Sequence, residues 1–127
     1  MYGFDKVVPM SFDQAIEKVT EELKKEGFGV LTEIDVQATL KAKIDVDRLP
    51  YKILGACNPS LANQAINSDP DIGLLLPCNV VVRENEAGET IVAFMDPTAV
   101  LKLVNQEGIE DLAQEVKEKL LRVKEGL

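Results

Sequence analysis

Apolar positions recur along the chain in two periods, and the points where one period gives way to the other divide it into elements. Residues 2–8 alternate and close with Val7 and Val8 before Pro9, which reads as a first strand. Phe12, Ala15, Ile16, Val19 and Leu23 then return at helical spacing. Ser11 with Gln14 supplies the capping-box pattern, in which each side chain satisfies an amide left free at the helix start. Gly27 ends this helix, being free to take the left-handed conformation of a C-terminal cap. Residues 28–36 return to period two, with Phe28, Val30, Thr32, Ile34 and Val36 counted onto one face of a second strand. Residues 37–44 suit a short helix between Asp35 and Asp45, and residues 51–57 read as a third strand.

That strand runs directly into another helix. Asn58 is a good N-cap, and Pro59 stands at the first helical position, where its missing N–H costs nothing. Leu61, Ala62, Ala65 and Ile66 form the expected buried side. After a turn at residues 68–71, residues 74–83 read as a fourth strand, in which Pro77 marks a bulge, an edge or the true beginning. A turn at residues 85–89, containing Gly88, closes a hairpin onto a fifth strand at 90–95. Asp96 and Pro97 repeat the cap-and-proline device and start a short helix through Val104. The last helix turns Ile109, Leu112, Ala113, Val116, Leu120 and Val123 inward, with acids near its start and bases near its end as the helix dipole favours. Strands interspersed with helices, one hairpin among them, predict an α+β two-layer sandwich. Its sheet is expected to be mixed, mostly antiparallel and of about five strands, with the helices mainly on one face. No repeat, low-complexity tract or linker suggests a domain boundary within residues 1–127.

Charge narrows the partners. With 14 Lys and Arg against 22 Asp and Glu, the net charge is -8, and the bases are interleaved with acids, so a phosphate backbone is repelled and nucleic acid is not an expected partner. The opening MYGFDKVV is not patterned as a signal peptide, and the longest apolar run is too short for a bilayer, so a cytoplasmic protein with reduced thiols is expected. The chain has no histidine, which removes Ser-His-Asp and Cys-His catalysis and His-ligated zinc from a single chain.

Residues 53–68 and 72–82 carry no Asp, Glu, Lys or Arg, and they contain both cysteines, Cys57 and Cys78, each followed by an asparagine. Central strands and a buried helix account for such stretches in structural terms. In functional terms, the turn at Cys57, Asn58 and Pro59 offers free amides at a helix start to an anion or polar ligand, with Asn79 facing it from the fourth strand. The two cysteines are small buried hydrophobes, or else a redox pair or a copper(I) site. Two sulfurs alone do not complete a tetrahedral zinc site, and no metal ligand set is assigned. Asp69, Asp71 and Asp96 occupy turn and capping positions where their side chains have a structural use. Arg48, Tyr51 and Lys52 stand where they can rim a pocket or simply face solvent.

LGACNPSLANQAI, then GLLLPCNVVV and MDP, resemble the domain of unknown function 302 family, in the branch with Cys-Asn-Pro and Pro-Cys-Asn steps. The likeness runs through nearly the whole chain, including EIDVQATLK at residues 33–41. It implies a small α+β domain assembled as a homodimer, and no particular reaction or cofactor. Cys57, Asn58, Pro59, Pro77, Cys78 and Asn79 match the family's characteristic steps. Other branches keep the Asn-Pro step without the first cysteine, which favours Asn58 and Pro59 as framework or ligand cradle. The expected function is a small-ligand-binding or regulatory domain with its pocket at Cys57–Pro59 and Pro77–Asn79, and the alternative is a thiol-redox or copper(I)-handling protein.

Overall fold

The computed structural model describes residues 1–127. Its elements follow in the order β1 (Gly3–Val8), α1 (Phe12–Lys25), β2 (Gly29–Asp35), α2 (Val36–Ile44), β3 (Tyr51–Cys57), α3 (Pro59–Ser68), β4 (Cys78–Glu84), β5 (Thr90–Met95), α4 (Pro97–Val100) and α5 (Ile109–Glu125). The strands form one sheet in the order β1-β5-β4-β3-β2. Every neighbouring pair is antiparallel, so the α+β architecture and strand number are as expected while the parallel pairing of a mixed sheet is absent. The connections through α2 and α3 each return the chain to an antiparallel neighbour, β4 and β5 form a hairpin, and the connection through α1 carries the chain across to the far edge, so that β1 and β2 border the sheet. No helix is long and apolar enough to cross a membrane.

Local chemistry sets most boundaries. Ser11 Oγ accepts from the Gln14 amide at 3.2 Å while Gln14 Oε1 accepts from the Ser11 amide at 3.1 Å, the reciprocal pair of a capping box. At the other end of α1, the Phe28 amide donates to Leu23 and the Gly27 amide to Lys24, with Gly27 at φ 84°. This is the Schellman closure that glycine permits without a Cβ penalty. Asp35 caps α2 through the Ala38 amide at 2.9 Å, and Asp96 caps α4 through the Thr98 amide at 2.9 Å.

The core lies between the sheet and α1, α3 and α5. Leu54, Val80, Val82, Val92 and Phe94 meet Val19 and Leu23 of α1 and the six inward residues of α5 foreseen from its periodicity, all of them buried. On α3 only Leu61 and Ala65 are buried, and Ile66 is turned outward. The helix is packed along a narrower stripe than its apolar composition suggests.

Two strands depart from the period-two count. In β2, Val30 pairs with Ala56 and Thr32 with Gly55, so Leu31 is an extra residue that resets the alternation. Phe28 and Val30 therefore join the core, whereas Thr32 and Ile34 face the other side. The fourth strand begins at Cys78, not at residue 74, because residues 72–75 form a single 3₁₀ turn held by Asp69 and Asp71 carbonyls. Ile72 is buried there and Leu74 exposed. Pro77 thus immediately precedes the strand, where its missing N–H removes no ladder bond.

Gly55 marks a close crossing of three segments. A Cβ at this position would collide with Thr32 Oγ1 and lie 2.9 Å from Pro77 Cγ, so the backbone of β3 passes where only glycine fits. Replacing Gly55 with alanine is expected to lower the unfolding free energy in urea by about 1–3 kcal/mol, as overpacking of a filled site does. Adding Thr32→Ala should restore part of that loss, and a tolerated Gly55→Ala would show that the crossing is loose.

Candidate functional site

The two charge-free segments come together at the junction of β3, α3 and β4. Ala56 and Cys78 are direct partners across the β3–β4 ladder, so Cys57, one residue on, is their immediate neighbour. Cys78 is buried and Cys57 half-buried, and the two remain free thiols. Both line an apolar crevice with Asn58, Leu61, Ala65 and Pro77, whose free volume of about 40 Å³ is room for little more than a water molecule. Burial pushes the Cys78 thiol up to about 11, and Cys57 adds a smaller push in the same direction.

Asn58 is occupied at both ends. Its Oδ1 accepts from the Leu61 amide at 3.3 Å, and its Nδ2 donates to the Glu26 carbonyl at 3.4 Å, so one side chain ties the start of α3 to the end of α1. Pro59 is exposed at the first turn. The Asn-Pro step is thus framework by its geometry, and the amides expected to receive a ligand are in part already used.

Asn79 does not join this group. Successive strand residues point to opposite faces, and Cys78 takes the helix-covered one. Asn79 pairs with Gly55 and emerges on the bare side of the sheet. There it borders a groove of about 500 Å³ with Tyr51, Val81, Arg83, Ala93 and Met95, and residues 1–5 run along it. Val81 pairs with Ile53 on one side and Ala93 on the other, which makes an apolar floor, while Arg83 stands beside Tyr51 in the next row. Arg48 lies over the Tyr51 ring at 5.9 Å, adding a second guanidinium at the same end. Lys52 falls on the helix side, 2.7 Å from Glu33, and does not rim the groove. Arg83, Val81, Ala93 and Met95 were not among the residues singled out from sequence. The signal available was the alternation of Asn79, Val81 and Arg83 within a strand whose other face is apolar from Cys78 through Val82.

Asp96 has the structural use expected of it. Burial raises its carboxyl pKa, but hydrogen bonds from Thr98 and Lys117 outweigh this and lower it overall. No group of three or more His, Cys, Asp or Glu side chains is arranged to hold a metal ion.

The family model described as Domain of unknown function DUF302 matches residues 4–127. The chain belongs to the DUF302 family. Among solved structures, the crystal structure of an uncharacterized conserved protein DUF302 from Bacillus stearothermophilus is similar to it with a TM-score of 0.92 and 29% identity, over 99% of this chain and 98% of that one. No curated protein matches the chain. The matched region of this DUF302 chain takes in the crevice and all of the groove except Met1, Tyr2 and Gly3.

The Cys78 thiol has a consequence for stability. Its pKa rises from an ordinary 9.0 to about 11 on folding, so the folded state holds the proton more tightly. The resulting stabilisation is complete below pH 9 and disappears as pH rises through 11, by about 3 kcal/mol in all. Urea melts from pH 8 to 11 should show this decline, and Cys78→Ala should remove its share of it. Identical slopes for the two proteins would place the thiol in a more solvated setting.

Proposed function

We propose that this DUF302 protein is a small-ligand-binding domain, regulatory in character, whose ligand lies in the groove on the bare face of the sheet. The supporting observation is the groove itself: an apolar floor of Val81 and Ala93 with Asn79, Tyr51 and Arg83 converging on it, at a volume of about 500 Å³. Small-molecule sites commonly combine an apolar lining with a few placed polar groups, in volumes of about 300–1,000 Å³. The crevice at Cys57 and Cys78 has the wrong size for this role, and Asn79 is the residue of the sequence-derived site that the proposal retains.

The neutral fluorophore N-phenyl-1-naphthylamine is expected to bind, and Ala93→Trp, which fills the floor, should weaken binding at least about tenfold with little change in melting temperature. Binding indifferent to Ala93→Trp would remove the groove as the site. A homodimer is the competing occupant of this face: a dimer in sedimentation that Ala93→Trp converts to monomer, with no fluorophore bound by the wild type, would assign it to a second copy.

A thiol-pair function draws on a separate observation, that Cys57 and Cys78 line one crevice from adjacent strands. In that reading the two thiols give two protons and two electrons to a low-molecular-weight disulfide such as oxidised glutathione, closing an intramolecular disulfide and releasing two reduced glutathiones. Copper(I) is the weaker form of it, because both sulfurs would serve as thiolates and burial opposes deprotonation of Cys78. Native protein treated with excess oxidised glutathione should lose both thiols and two hydrogens by intact mass. A glutathione adduct on Cys57 alone, or no reaction, would discard the pair.

A further inference from the structure

The groove has a polarity that its apolar floor does not explain. Arg83 is half-buried, and it forms none of the ion pairs of a chain that has 22 acidic side chains available. Arg48, exposed above Tyr51, forms none either. Six of the other twelve bases are paired: Lys18 and Lys25 with Glu22, Lys41 with Asp45 and Asp47, Lys52 with Glu33, Lys117 with Asp96 and Arg122 with Glu26. The one carboxylate in the groove, Asp5, is solvent-exposed on β1 and separated from Arg83 by the intervening strand β5, in a different row of the sheet. Its charge is therefore screened by water before it reaches the guanidinium.

From this we infer that the groove takes a small amphipathic anion, its apolar body on Val81 and Ala93 and its anionic group on Arg83, with Arg48 adding positive potential at the same end. The inference rests on the groove being the ligand site. A guanidinium held at the end of an apolar floor, with its donors unspent, suits a planar carboxylate, sulfonate or phosphate oxygen pair. The protein's overall negative charge repels anions at long range, so any preference for them has to arise at this one place.

Two fluorophores of the same ring system separate the two ideas. N-phenyl-1-naphthylamine has the apolar body alone, and 8-anilinonaphthalene-1-sulfonate has that body with an anionic group. Arg83→Gln is expected to weaken the sulfonate about tenfold, as loss of a charge-assisted contact does, and to leave the neutral compound unchanged, which also shows that the variant is folded with its groove intact. Lys102→Gln, which removes an equal charge from the helical layer, should alter neither. Equal weakening of both compounds by Arg83→Gln, or equal loss of sulfonate affinity in Lys102→Gln, overturns the anion assignment while leaving the groove standing. Failure of both compounds to bind the wild type removes the groove instead. The wild type gives a test free of substitution: raising salt should weaken the sulfonate, and a rise in its affinity would mean that screening of the protein's overall charge dominates, against the assignment.

Discussion

Side chains leave a β-strand alternately to its two sides, and in β4 this rule divides the molecule. Cys78, Val80 and Val82 go under the helices and are buried, while Asn79, Val81 and Arg83 come out on the bare face. The core needs the first set to be apolar and small enough to meet Val19, Leu23 and the inward stripe of α5. Once those are fixed, the second set has no freedom to join them, since a shift of one residue would exchange the faces. Everything distinctive about the molecule lies on one side or other of this strand: a small crevice lined by two cysteines on one, a larger groove with an unpaired guanidinium on the other.

Much of the architecture was legible because it is written in short-range chemistry. The capping box at Ser11 and Gln14, the glycine closure at Gly27 and the paired Asn58-Pro59 and Asp96-Pro97 starts each satisfy backbone groups within a few residues of themselves. The long stripe of α5 is similarly self-announcing. What escaped was set by partners distant in sequence. The extra residue at Leu31 depends on how β2 meets β3, and the 3₁₀ turn at residues 72–75 competes with a strand reading of the same apolar run.

The candidate site shows the same division. The third and fourth strands are neighbours, and Cys57 and Cys78 line the one crevice at their ends. Asn79 lies away from the crevice because the pleat sends Cys78 and Asn79, adjacent in the chain, to opposite faces of the sheet. Asn58 suits framework or cradle by residue type alone, and its two hydrogen bonds favour framework. Arg83 escaped because its significance is an absence of partners, which only a three-dimensional arrangement can reveal.

The bulge at Leu31 also makes the two borders of the sheet unequal. β2 and β1 are its outer strands, and an outer strand with regular spacing is a template on which another chain can add itself. The extra residue interrupts that template on β2, twisting it and turning Leu31 out of line, whereas β1 pairs with β5 without interruption along its length. The β2 border is thereby guarded against accidental recruitment of neighbours in a crowded solution, and the unguarded border is the one that runs beside the groove.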